Sequence, residues 1–141
     1  MNELIKKEIY DLFENANVAI VSSVDAGGFP NTKGMLALEH DGLPVHYFST
    51  NYSAKRTKQF IDNPKACVYF FAEPDYRGLM LVGHIEVCTD QAHRIKLWRD
   101  GFEMYYPQGV NDPDYCVFKF TAQRGNYYHG LKNYDLDLTE F

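Results

Sequence analysis

The sequence is short of positive charge, of paired cysteines and of long apolar runs. Its 141 residues carry 14 Lys and Arg against 19 Asp and Glu, a net charge of −5. A nucleic-acid binder shows a basic footprint, so none is expected. Any anion site must be a local cluster of cations. The three cysteines, Cys67, Cys88 and Cys116, are odd in number and form no CxxC pair, which predicts no disulfide framework and a reducing compartment. The opening MNELIKKEIYDLFE has no apolar core of signal-peptide type, and no run reaches the length of a membrane span. These absences predict a cytoplasmic protein with no membrane partner. His40, His46, His84, His93 and His129 form neither HxH nor HExxH, so no metal site is expected. Ser22 and Ser23 lie in a strand without a nucleophile elbow, and the cysteines sit in apolar strand contexts.

What is abundant is aromatic: 11 Tyr and 10 Phe, which favour half-buried strands. The length suits one domain spanning 1–141. Helical spacing of Leu4, Ile5, Ile9, Leu12 and Phe13 predicts a helix over Asn2–Glu14, with Asn2 as N-cap. Strands are predicted at Val18–Val24, Asn31–Leu38 and Val45–Ser49, separated by turns at Asp25-Ala26-Gly27-Gly28 and Asp41-Gly42 and arranged as a meander. A short helix is predicted over Ser53–Ile61, with Ser53 as N-cap and Asn63-Pro64 as stop. Strands at Ala66–Phe71 and Leu79–Thr89 follow. Asp90 then caps a helix from Gln91 to about Arg99, with Ile95, Trp98 and Phe102 on one side. Cys116–Thr121 and Asn126–His129 read as two further strands, and the tail after Gly130 as polar and acidic. Short strands joined by tight turns predict an antiparallel barrel with peripheral helices. The aromatic-rich segments Trp98–Tyr106 and Tyr115–Tyr128 predict an apolar surface that a second copy covers.

The most informative stretch is Phe48–Phe60, which leads from a strand into a helix. Ser49, Thr50 and Ser53 supply hydroxyls; Lys55 and Arg56 supply cations beside the helix start. Free N–H groups and the positive end of the helix dipole suit a phosphate there. The same residues also suit a capped surface helix in water. Lys33, three residues after Pro30, is a third cation that a neighbouring strand can bring to the same point.

The segments VAIVSSVDAGGFPNTKGM, YFSTNYSAKRTKQFIDNPKACVYFF and RGLMLVGHIEV together resemble the pyridoxamine 5′-phosphate oxidase-like FMN-binding split barrels. The segment KLWRDGFEMYYPQGVNDPDYCVFKF resembles their general-stress-protein branch. The resemblance runs from Val18 to His129. It implies a mainly β, antiparallel Greek-key split barrel and a homodimer with FMN at the interface. By the same resemblance, Lys33 takes the position of an Arg, and Gly34, Met35 and Leu36 run along the flavin ring. Ser49, Thr50, Ser53, Lys55 and Arg56 surround the phosphate. Arg77 and Gly78 reach the cofactor from the second subunit, and Tyr128 lies beside the flavin.

Two departures stand out. Gly78 replaces a Gln of the oxidase proper, and Leu131-Lys132-Asn133-Tyr134-Asp135 replaces the Arg-x-His segment that grips the oxidase substrate. The resemblance therefore implies a stress-related FMN oxidoreductase acting on a small molecule, with NAD(P)H as reductant, and no pyridoxamine phosphate oxidation. A non-catalytic, redox-sensing flavin protein and a deazaflavin- or haem-binding relative are the alternatives.

Overall fold

The computed structural model describes all residues, 1–141. Its elements are α1 (Glu3–Glu14), β1 (Val18–Val24), β2 (Pro30–Leu36), β3 (Glu39–His40), β4 (Val45–Asn51), α2 (Lys55–Asp62), β5 (Lys65–Ala72), β6 (Arg77–Cys88), α3 (Gln91–Leu97), β7 (Tyr115–His129) and β8 (Lys132–Leu136). All strands join one antiparallel sheet in the order β2-β1-β5-β6-β7-β4-β3, with β8 on the free part of β7. The sheet curls until β2 approaches β4, giving an antiparallel split barrel.

The helices follow the sequence pattern closely. Asn2 caps α1 by accepting from the Leu4 N–H at 2.7 Å, and Ile9, Leu12 and Phe13 are buried against the sheet. Leu4, expected on the buried stripe, is exposed. Asp90 caps α3. There Leu97 turns inward, while Ile95 is exposed.

The strand order departs from the expected meander. β1 and β2 form a hairpin, but β4 pairs with β3 and β7 and not with β2. The cause is burial on both faces of β4. Phe48 faces the main core, while Tyr47 packs in a second core with Cys88, Leu97, Tyr106, Tyr115 and Val117. A strand buried on both faces belongs inside a sheet.

The two strands expected between Cys116 and His129 are one strand, β7. Its polar stretch Thr121–Gly125 reads as a break in sequence, yet it stays paired with β6 across a bulge at Val82/Gly83. Gly83 is required there, because a Cβ would collide with the Thr121 carbonyl and lie 2.8 Å from Ala122 Cα. The tail is also structured: Gly130, at φ 60, turns the chain into β8, which buries Leu136.

Part of the aromatic segments, expected as exposed surface, is instead buried. Trp98, Phe102, Tyr106 and Tyr115 pack on one another in the second core, with ring centroids 4.9 to 6.4 Å apart. Met104 and Tyr105 of the first segment stay exposed, and a second exposed apolar set lies elsewhere. Val18, Leu36, Phe71 and Met80 share the outer face of β1, β2, β5 and β6.

Candidate functional site

The link from β4 to α2 is built by competition for Ser53. Asp114, in the turn before β7, accepts from the Ser53 N–H at 2.8 Å and from its hydroxyl at 3.1 Å. Ser53 is therefore not the cap. Ala54 holds the N-cap position with no side-chain bond, and α2 starts at Lys55. Its first-turn N–H groups are left without a side-chain acceptor, the condition an anion exploits. Thr57 steadies the start by donating to the Asn51 carbonyl at 2.9 Å.

Lys33, Lys55 and Arg56 converge. They line a notch of about 170 Å³ with Ser23, Asn31 and Gln59. The register explains the convergence: Val21 opposes Lys33 and Ser23 opposes Asn31, so these β1 and β2 side chains share the face that α2 covers. Ser23 donates to Gln59 Oε1 at 2.5 Å and ties α2 to β1. None of the three cations takes part in an ion pair. Arg56 donates from Nη2 to Thr50 Oγ1 at 2.5 Å, while its Nε is buried with no partner. Burial lowers the Arg56 pKa, but a guanidinium stays charged.

Arg56 also borders a second space, an apolar slot of about 180 Å³. Gly34, Met35 and Leu36 form one wall, and Phe102, Tyr105 and Tyr106 form the other. Because β2 pairs only with β1, one side of its backbone is free along this wall. Ser49 lines the slot and shares a hydrogen with the Tyr115 hydroxyl at 3.2 Å. The hydroxyl pair after β4 thus divides its work: Ser49 faces the slot and buried Thr50 orients Arg56. The aromatic wall was missed by the sequence reading. Its signal was the run Phe102–Tyr106, interpreted there as an exposed interface.

Arg77, Gly78 and Tyr128 are not brought to either space within one chain. They lie on β6 and β7, and β6 is three strand spacings, roughly 14 Å, from β2. Arg77 donates to Asp75 at 3.1 Å. Gly78 is covered by the Tyr69 and Tyr128 hydroxyls, which sit 2.8 Å apart, and a Cβ there would overlap both side chains. Burial, then the bond to Tyr128, raises the Tyr69 pKa. No histidine, carboxylate or cysteine lines the notch or the slot.

The chain is a split barrel with an unpaired cationic notch beside an apolar slot, and comparison names the family. The chain belongs to the pyridoxamine 5′-phosphate oxidase family, whose model matches residues 5–129. Within it the chain falls in the general-stress-protein branch. A crystal structure from Clostridium acetobutylicum, of a protein related to general stress protein 26 of B. subtilis, is 41% identical, covers 99% of each chain and superposes with a TM-score of 0.89. General stress protein 26 of Bacillus anthracis shares the fold at 19% identity, covering 94% of this chain and 98% of its own, with a TM-score of 0.76. A heme binding protein of Mycobacterium smegmatis also shares the fold, at 13% identity and a TM-score of 0.76, over 96% of this chain and 59% of its own. The pyridoxine/pyridoxamine 5′-phosphate oxidase of Christiangramia forsetii is 31% identical over 74 residues, 51% of this chain. That match spans about a third, 33%, of the oxidase's length. No helix is long and apolar enough to cross a membrane.

Proposed function

We propose that the chain binds FMN and serves as a flavin-dependent oxidoreductase for a small molecule, with NAD(P)H as reductant. The observation that carries this reading is the set Lys33, Lys55 and Arg56, free of ion pairs around one notch that shares Arg56 with an apolar slot. A phosphate with an attached flat ring needs such a pair of spaces. The three cations and the uncapped start of α2 bind the phosphate, and Thr50 fixes the angle of Arg56. The buried, unpartnered Arg56 Nε fits an anionic oxygen. Gly34–Leu36 offer unpaired backbone groups to the ring edge, while Phe102, Tyr105 and Tyr106 exclude water from its face. When bound, the flavin supplies the electron or hydride transfer.

Flavin is preferred to haem because no histidine lines either space to serve as an axial ligand. Pyridoxamine phosphate oxidation is not proposed. The segment after Gly130, which lacks an Arg-x-His pair, is committed to β8. We also propose a homodimer, joined through the outer face that exposes Val18, Leu36, Phe71 and Met80. In that arrangement Arg77, Gly78 and Tyr128 of one subunit serve the cofactor of the other.

The test is a fluorescence titration of stripped protein with FMN and with riboflavin. FMN binding at least ten-fold tighter supports the phosphate notch, and equal affinities refute it. A second reading, a flavin-holding redox sensor without turnover, is favoured by the absence of carboxylate, histidine and cysteine from both spaces. Steady NAD(P)H oxidation by the loaded protein would exclude it. Mass spectrometry of the released cofactor separates FMN from a deazaflavin.

A further inference from the structure

A third cavity, of about 180 Å³, lies at the C-terminal end of α1. Its wall includes Phe13, Glu14, Glu39, His40, His46 and Phe70. His46 is 4% exposed. Its Nε2 lies 2.7 Å from the Leu43 carbonyl oxygen, which can only accept. The hydrogen is therefore on Nε2, and Nδ1 carries a bare lone pair. No donor of the chain reaches Nδ1, and it is not among the buried atoms sealed from solvent, so it opens on the cavity. Burial holds the His46 pKa down to about 4, which keeps the ring neutral.

Two of the other polar groups of the cavity are acidic. Glu14 and Glu39 bring two carboxylates. The end of α1 adds partial negative charge and has no cation in its last turn. Arg99 approaches Glu39 at 3.4 Å and is the cation of the rim. His40 accepts from the Gly42 N–H through Nδ1, so in its neutral form Nε2 carries the hydrogen, 3.7 Å from Glu14. The rest of the wall is apolar, with Ala37, Leu38 and Phe48 beside Phe13 and Phe70, which each lie 5.4 Å from the His46 ring, centroid to centroid. A metal ion is the wrong occupant. The donor atoms gathered closely enough for one ion are those of Cys88, Asp90 and His93, within 4.8 Å of one another. There His93 Nδ1 already bonds both Asp90 oxygens, at 2.8 and 2.9 Å, as part of the α3 cap.

We propose that the cavity beneath α1 binds a small primary ammonium ion on an apolar body, which donates to His46 Nδ1 and is drawn in by the negative charge of Glu14 and Glu39. The site does not depend on flavin binding, although Leu38 borders both this cavity and the slot.

The test titrates benzylammonium into the full chain and follows the histidine side-chain nitrogens by NMR. Saturable one-to-one binding that moves the His46 Nδ1 resonance is expected. Benzyl alcohol should bind about ten-fold more weakly, because it lacks the charge, and benzoate should not bind. Glu14→Gln, at a half-exposed rim position, should weaken benzylammonium about ten-fold and leave FMN affinity unchanged. Benzyl alcohol binding as tightly as benzylammonium would overturn the proposal. So would a His46 resonance that stays still in millimolar benzylammonium. Both readouts use the unaltered protein, so neither depends on a variant folding.

Discussion

Arg56 Nη2 donates to Thr50 Oγ1 at 2.5 Å, across the link between β4 and α2. The hydroxyl is 2% exposed as a residue, so the guanidinium is aimed by a fixed buried group and not by water. Thr50→Val keeps the shape and removes the acceptor. FMN affinity should fall three- to ten-fold, the range expected for one hydrogen bond of about 1 kcal/mol. Riboflavin affinity should not change, which the same fluorescence titration checks.

Removing the cations is a harsher version of that experiment. Lys55→Ala with Arg56→Ala should weaken FMN by ten-fold or more, since each charged hydrogen bond is worth about 1.5–3 kcal/mol. Riboflavin has no phosphate and should lose far less. Equal losses would move the phosphate out of the notch.

Two glycines predict a graded loss of stability. A Cβ at Gly78 meets side chains, Tyr128 and Tyr69, which can rotate away; a Cβ at Gly83 meets the backbone of Thr121 and Ala122, which cannot. Gly78→Ala should cost about 1–3 kcal/mol and Gly83→Ala more, as overpacking against an immobile neighbour does. Urea unfolding of the two variants orders them.

His46 sets a pH dependence. Burial lowers its pKa from 6.5 in the unfolded chain to about 4 in the folded one. Between those values the unfolded chain binds the extra proton, so stability is complete above about pH 6.5 and declines as pH falls toward 4. The full loss is roughly 3 kcal/mol. His46→Phe should flatten this part of the stability profile in urea unfolding at a series of pH values. A variant as steep as the parent would refute the assignment.

The proposed dimer is tested at Met80, exposed on the β6 side of the apolar outer face. Met80→Glu should shift analytical ultracentrifugation toward monomer without changing the core, because the side chain points outward.

What the sequence made legible were features decided within a few residues. The Asn2 and Asp90 caps, the Gly27-Gly28 hairpin and the buried stripe of α1 all belong to that kind. The convergence of Lys33 with Lys55 and Arg56 was legible as well, although through an incorrect strand neighbour. β2 reaches the notch because α2 covers the β1–β2 hairpin, not because β2 pairs with β4. What stayed hidden depended on distant partners. Ser53 has every property of a cap, and it loses that role to Asp114, which is 61 residues away. The polar Thr121–Gly125 stretch is held in β7 by β6, and the acidic tail by β7. Phe102 and Tyr106 looked like surface because nothing local announces the second core that holds them.

β7 is the one strand that touches β4, β6 and β8. A nascent chain still lacking Tyr115–His129 leaves β6 with one open edge and β4 with only the two-residue β3 beside it. Unpaired edges of that kind invite pairing with other chains. The barrel therefore cannot close before β7 has been made, and its assembly is dominated by contacts distant in sequence, which are slow to form. Once β7 is inserted it seals both edges together. The amides around Phe118 and Phe120, buried with strands on both sides, are then the last in the molecule to exchange with solvent.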